Sequence, residues 1–122
     1  MDKFRYLNLN PVGIEEEDCV TRAIALASGR NYFEIREKLE LTANLLDCEK
    51  FCVCCYEHLL DNVFKYKRVK TKGMTIEQFA KMHPKGRYLI RIEGHLTCLW
   101  NGCIYDLWDC RDRVATHAWM CD

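Results

Sequence analysis

Three residues of this chain have the types and the order that nucleophilic thiol chemistry requires, namely Cys19, His95 and Asp106. A cysteine at the start of a helix can attack a carbonyl carbon as a thiolate. A histidine on one strand of a hairpin can accept the thiol proton, and an aspartate on the other strand can fix the tautomer of the imidazole. The order therefore predicts a nucleophile, its general base and the group that orients the base.

The turn at Asn101-Gly102 sets the positions of the histidine and the aspartate. Asn-Gly between two apolar runs favours a type I′ turn, because both central residues need a positive φ. A two-residue loop places Thr97 opposite Asp106, so His95 and Asp106 become diagonal neighbours on one face, roughly 7–8 Å apart by backbone. Asp109 falls on the opposite face. The other pairs of this register are Trp100 with Cys103, Leu99 with Ile104, Cys98 with Tyr105 and His95 with Trp108.

Cys19 lies at the start of a predicted amphipathic helix. Asp18 is a candidate N-cap, and Ser28-Gly29 is a typical helix end. Apolar residues at i, i+3, i+4 and i+7 spacing form its buried face, and these are Val20, Ala23, Ile24 and Ala27. The helix dipole favours a Cys19 thiolate, whereas the acids Glu15–Asp18 oppose it, so a protonated His95 is required. If the helix begins at the first of these acids, Cys19 lies in the second turn and gains less from the dipole.

Further helices are predicted before the hairpin. A polar N-cap followed three residues later by Glu or Gln marks one helix start at Asn31 and another at Thr75. A third helix is expected near Cys48 to Val63, and His83-Pro84 ends the helix that Thr75 begins. All of these segments precede the region with strand periodicity.

Strand periodicity begins after Lys85-Gly86, where apolar residues recur at every second position. A last strand is expected within Val114 to Trp119. Helices first and an antiparallel sheet second predict an α+β fold in which helices pack on the sheet.

Composition limits the possible classes of protein. At 122 residues, the chain is expected to form one domain, spanning residues 1–122. Hydrophobic residues make up 49% and charged residues 30%, as in an ordinary globular domain. Eighteen basic residues balance 18 acidic ones, so no electrostatic argument favours nucleic acid. No apolar run approaches the ~20 residues of a membrane span. Neither a nucleic acid nor a membrane is therefore an expected partner.

The nine cysteines are expected to be reduced. Their number is odd, and the start Met1–Arg5 lacks the apolar core of a secretion signal, so a cytoplasmic location is expected. Most of the thiols are expected to fill space in the core.

Several runs of residues resemble a known family. Asn10-Pro11-Val12-Gly13 and the run from Asp18 to Ile24 resemble the start of the nucleophile helix in papain-like cysteine peptidases. The runs Arg91 to Leu96 and Cys103 to Asp109 resemble the His strand and the Asp/Asn strand of the same superfamily. The resemblance is to small bacterial and bacteriophage members.

The resemblance implies a papain-like fold, with a central helix against an antiparallel sheet. It implies acyl transfer through a thioester, at a peptide or other amide bond of a peptide or protein substrate. Carried over, Cys19 is the nucleophile, His95 the base and Asp106 the orienting residue. The resemblance implies no cofactor.

One feature of the family has no counterpart here, because the family places a Gln shortly before the cysteine to bind the oxyanion. The one Gln of this chain is Gln78. Asn10, or alternatively Asn8, is the candidate replacement, together with the backbone N–H of Cys19. The missing Gln leaves open a catalytically inactive papain-like binding module, such as a phage accessory or host-interaction protein.

A second cluster of potential ligands comprises Cys48, Cys52, Cys54, Cys55 and His58. It raises the alternative of a small zinc-binding interaction domain. On a single helix Cys48, Cys52 and Cys55 would line one face, which rarely supplies a tetrahedral site. A packed helix face without metal is therefore expected.

Overall fold

The computed structural model describes residues 3–13 and 18–121. Within these residues the helices are α1 (Cys19–Ser28), α2 (Tyr32–Leu46), α3 (Val53–His58) and α4 (Ile76–Met82), and a π-helical turn at Leu59–Val63 continues α3. The acids Glu15–Glu17, which the sequence places just before the first helix, lie outside the described residues.

Helix α1 has the predicted bounds. Asp18 is its N-cap residue and Cys19 its first helical residue. Gly29 ends it with φ at 71°, a left-handed conformation that glycine adopts without a Cβ clash. The predicted apolar face is buried: Val20, Ala23, Ile24 and Ala27. The side chain of Asp18 makes no capping hydrogen bond and is buried instead.

The other helix starts agree with the sequence in two cases and differ in one. Asn31 caps α2 by accepting from the N–H of Phe33, and Thr75 with Gln78 forms the reciprocal capping box of α4. The helix expected near Cys48 begins only at Val53. Asp47 ends α2 in a left-handed conformation, with φ at 54°, so the chain turns before α3 can start.

The strands are β1 (Phe4–Tyr6), β2 (Lys67–Val69), β3 (Arg87–Ile92), β4 (His95–Trp100), β5 (Cys103–Asp106) and β6 (His117–Met120). In the described part of the chain they form one six-stranded sheet, ordered β1-β5-β4-β3-β6-β2. Neither β1 nor β2 was apparent from periodicity, since three residues are too few to show alternation. Because β1 pairs parallel to β5, the sheet is mixed rather than wholly antiparallel. The fold class is α+β.

The β4–β5 hairpin has the predicted register. Cys98 pairs with Tyr105, Leu99 with Ile104 and Trp100 with Cys103. The turn has φ of 51° at Asn101 and 77° at Gly102, as a type I′ turn requires at both central positions. These values confirm the two-residue loop. They therefore also confirm the strand alternation that places Asp106 on the same side of the hairpin as His95.

Both faces of the sheet are covered. On one face Leu89, Leu96 and Trp119 pack in a cluster with α1, α2 and α3. On the other face Ile90 and Leu99 pack with α4. Alternate side chains of β3 and β4 are therefore buried in two different clusters, one on each face of the sheet, rather than being buried on one face and exposed to solvent on the other. No helix among the described residues is long and apolar enough to cross a membrane.

Candidate active site

Helix α1 brings Cys19 to the beginning of β4. Cys19, His95 and Leu96 line the same cleft, where hydrogen bonding with His95 and with the Leu96 backbone outweighs burial and lowers the pKa of the thiol. Leu96 packs beneath α1, whereas His95 is the first residue of the strand and stands at its end. The first residue of the helix can therefore meet the first residue of the strand.

His95 also contacts Asp106, as the hairpin register predicts. The distance from His95 Nε2 to Asp106 Oδ2 is 2.7 Å, and the two side chains are only 9% and 3% exposed. Because Nε2 faces the carboxylate, Nδ1 is the nitrogen that remains for the thiol. Asp109 instead pairs with Arg111 at the surface, at 2.7 Å. The structure thus joins Cys19, His95 and Asp106 in one chain of contacts.

The contacts favour a thiolate beside an imidazolium. Burial alone would raise the pKa of Cys19, but the hydrogen bonds with His95 and Leu96 outweigh it and lower that pKa below its ordinary 9.0. Burial alone would lower the pKa of His95, yet the hydrogen bonds with Asp106 and Cys19 raise it from 6.5 to about 9. The proton therefore favours the imidazole, and the sulfur is activated for attack.

The Asp106 carboxylate accepts hydrogen bonds from other groups besides His95. Its Oδ1 accepts from the backbone N–H of Leu107 at 2.7 Å and from Arg22 Nη1 at 3.2 Å. Burial would raise the pKa of this carboxyl, but the hydrogen bond from His95 leads the contacts that lower it. Asp106 is therefore a carboxylate with a fixed orientation, as the base's partner must be.

Arg22 connects this carboxylate to a second buried one, Asp18. Arg22 Nε donates to Asp18 Oδ1 at 2.7 Å. The other oxygen of Asp18 accepts from Asn10 Nδ2 at 3.0 Å and from the Tyr32 hydroxyl at 3.2 Å. The charge of Asp18 is thus compensated beside the thiol. Sequence reasoning missed this role of Arg22, although the i, i+4 spacing from Asp18 is a recognisable signal for an ion pair.

The two candidate oxyanion donors, Asn10 and Asn8, make their hydrogen bonds in and around the loop before α1. The Asn10 side chain is 5% exposed, donates to Asp18 and accepts from the N–H of Val12 at 3.0 Å. Asn8 donates to the carbonyl of Gly13 at 3.3 Å. Both amides hold the loop before α1 together. Among the described residues, the side-chain hydrogen bonds of Asn10 go to Asp18 and Val12 and not to Cys19 or His95.

A cleft of about 490 Å³ opens beside the thiol. Its lining includes Cys19, His95, Glu49, Phe51, Tyr56 and Arg91, and Asn10 is not among the described residues that line it. This volume falls in the range of ligand-binding clefts, roughly 300–1,000 Å³. The thiol is therefore accessible from a space that can hold part of a substrate.

Trp108 covers the histidine on another side. Its ring centroid lies 4.9 Å from that of His95, and its side chain is 39% exposed. Trp108 lies beyond the end of β5 at Asp106, so the two rings meet although the predicted pairing of His95 with Trp108 is not part of the β4–β5 ladder. An indole over the imidazole reduces the access of water to the His95–Asp106 hydrogen bond.

Within residues 3–13 and 18–121, two groups of side chains are close enough to hold a metal. The first is His95, Asp106 and Cys110. Cys110 is fully buried, and its burial raises the pKa of the thiol to about 12, so this group is poorly suited to a cation. The second is Cys48, Cys52 and Cys54, beside the cleft that Cys52 helps to line.

Comparison of the chain with models of known protein families, with curated proteins and with solved structures finds no match. Any function assigned to this site has to be argued from its geometry.

Proposed function

We propose that this protein is a papain-like thiol enzyme that cleaves or transfers an acyl group at a peptide or other amide bond. The observation that carries the proposal is the run of contacts from Cys19 through His95 to Asp106 at the wall of a cleft. The carboxylate fixes the imidazole, the imidazole holds the proton, and the sulfur faces the space where a substrate would lie.

The reaction begins with attack of the Cys19 thiolate on the carbonyl carbon. A C–S bond forms, and the carbonyl π electrons move to the oxygen. As the tetrahedral intermediate collapses, the C–N bond breaks and the leaving amine takes the proton from His95. His95 then removes a proton from water or an acceptor amine as it attacks the thioester carbon, and collapse of the second tetrahedral intermediate breaks the C–S bond. This restores the Cys19 thiolate beside the protonated His95 and releases the acyl product. Asp106 keeps the ring oriented and stabilises its positive charge.

The oxyanion requires hydrogen-bond donors near the thiol. The backbone N–H of Cys19 belongs to the first turn of α1, where N–H groups have no partner within the helix. It is the donor that the proposal assigns. The side chain of Asn10 is not assigned, since it donates to Asp18.

The arrangement of elements supports the papain-like comparison. The thiol begins a helix that packs on the sheet, and the histidine and aspartate lie on adjacent antiparallel strands. These are the positions that the resemblance in sequence implies for the nucleophile, the base and the orienting residue.

The alternative is an inactive module that binds a peptide in the same cleft. The hydrogen bond from the Asn10 amide to Asp18 favours it, because the residue expected to replace the family's Gln binds a buried carboxylate instead. The two candidates differ in turnover, and one experiment separates them.

The experiment uses p-nitrophenyl acetate as a small acyl donor. We expect a burst of nitrophenol, an acetyl group on the Cys19 peptide by mass spectrometry, and then slower steady release as the thioester hydrolyses. Cys19→Ser and His95→Ala should abolish the burst, whereas Cys103→Ser, a half-buried cysteine on β5, should retain it.

An acetyl group that stays on Cys19 without turnover would support the inactive module. Folded protein with no acetylation of Cys19 above that of the other thiols would contradict a nucleophilic role altogether.

A further inference from the structure

Three sulfur atoms converge in the turn that joins α2 to α3. The Sγ atoms of Cys48, Cys52 and Cys54 all lie within 4.8 Å of one another, and Cys52 and Cys54 are 2.8 Å apart. Cys48 belongs to the turn after α2, Cys52 is the N-cap residue of α3, and Cys54 lies in its first turn. The convergence therefore brings together ligands from a turn and from a helix start.

The expectation that these cysteines form one packed helix face without metal depends on their lying on a single helix, and the geometry contradicts that. Cys48 and Cys52 precede α3, so the cysteines do not form a stripe along one helix. Cys54 is exposed, and Cys48 and Cys52 are half-buried at the edge of the cluster under α1, α2 and α3, so none of the three thiols lies in the core interior. Ligands split between a turn and a helix start are typical of structural zinc sites.

A fourth thiol is adjacent. Cys55 forms a side-chain contact with Cys48, and its Sγ also donates to the carbonyl of Leu39 at 3.3 Å. Cys52 and Cys55 have C-x-x-C spacing, at the N-cap and in the first turn of α3. Cys55 is fully buried and lies outside the group of three converging sulfurs, so it can act as a fourth ligand only if its thiol leaves the Leu39 carbonyl.

We propose that Cys48, Cys52, Cys54 and Cys55 bind one zinc ion as a structural site, separate from Cys19 and His95. Thiolates are soft ligands, and four of them in a tetrahedral arrangement suit zinc. Each thiol releases its proton to solvent when it binds, so no electron transfer is involved. The ion would fix the turn that carries Phe51 and Cys52, one wall of the cleft.

The first measurement is elemental analysis of protein purified under reducing conditions and without an affinity tag that binds metal. We expect about one zinc per chain, as a closed structural site holds. Cys48→Ser and Cys54→Ser should lose the zinc. Cys103→Ser and Cys121→Ser, which replace half-buried cysteines outside the cluster, should keep it.

The second measurement is cobalt(II) absorption after removal of zinc. We expect intense charge-transfer bands and the ligand-field pattern of tetrahedral thiolate coordination, with the charge-transfer intensity reduced by Cys55→Ser. Circular dichroism of each variant shows whether it is folded. Because Cys54 is exposed, Cys54→Ser should remain folded and still report on binding.

Four results would overturn the proposal. They are protein without metal, iron or copper in place of zinc, a disulfide between Cys52 and Cys54 in the reduced preparation, and zinc that is lost with His95→Ala but kept with Cys54→Ser. Neither measurement depends on acyl transfer, so the zinc site and the proposed activity can fail separately.

Discussion

At the scale of single residues, the state of Cys19 depends on groups several contacts away. His95 raises or lowers the thiolate fraction by holding a proton, and Asp106 decides how strongly His95 holds it. Arg22 and the backbone N–H of Leu107 in turn fix the carboxylate. A change in Asp106 should therefore appear in the titration of a sulfur that it does not touch.

Asp106→Asn should move the pH dependence of Cys19 alkylation by iodoacetamide towards higher pH. In the native protein the thiolate persists as pH falls below 9.0, because His95 stays protonated up to about 9. Asparagine can orient the ring but cannot stabilise its charge, so the pKa of His95 falls and that of Cys19 rises. At neutral pH the alkylation rate should drop about tenfold for each unit of that rise.

The matched control is Asp109→Asn, which alters an exposed ion pair with Arg111 and should leave the alkylation profile unchanged. Peptide mapping identifies the alkylated cysteine, and circular dichroism checks the fold. A larger effect from Asp109→Asn than from Asp106→Asn would refute the assignment of the orienting residue.

At the scale of elements, short-range capping interactions define where helices begin, including those remote from the cleft. Thr75 accepts from the N–H of Gln78, whose side chain accepts in return from the N–H of Thr75. Helix α4 has only seven residues, so it depends on this cap and on the packing of Ile76 and Phe79. It covers the sheet face opposite α1.

Thr75→Ala should destabilise the protein by about 1 kcal/mol, because one N–H at the start of α4 loses its acceptor. Thr75→Ser retains the hydroxyl and should lose much less. Thermal or urea unfolding measures both variants. Cys19 alkylation in folded Thr75→Ala should equal that of the native protein, and a loss of reactivity would show that α4 influences the cleft.

At the scale of the whole molecule, the sheet is stabilised from both sides. The cluster under α1, α2 and α3 includes Ile24 and Trp119, both fully buried. The cluster under α4 includes Phe79, also fully buried, whose ring lies edge-on to Tyr88 at 5.4 Å. The strands that carry His95 and Asp106 lie between these clusters, so both should contribute to one cooperative unfolding transition.

Phe79→Ala should lower the free energy of unfolding by about 3–5 kcal/mol, since it leaves a cavity in the α4 cluster. Leu45→Ala, at a position 77% exposed on α2, should change it by less than about 0.5 kcal/mol. Urea unfolding followed by both circular dichroism and tryptophan fluorescence tests this. Separate transitions for the two probes would show that α4 and the rest of the sheet unfold independently.

The amino-acid sequence alone predicted the structure correctly wherever that structure is determined by interactions between neighbouring residues. Asn101-Gly102 set a hairpin register that brings Asp106 to His95, because turn type and strand parity depend on neighbouring residues. The starts of α2 and α4 follow from short-range hydrogen bonds of the caps Asn31 and Thr75, whereas α1 starts at the predicted Cys19 without a side-chain capping bond from Asp18.

Only the tertiary structure decided the interactions between distant segments. The approach of Cys19 to His95 depends on how α1 lies along β4, and the hydrogen bond from Arg22 to Asp106 spans 84 residues of sequence. No local pattern specifies these distances, because they result from the packing of helices on both faces of the sheet.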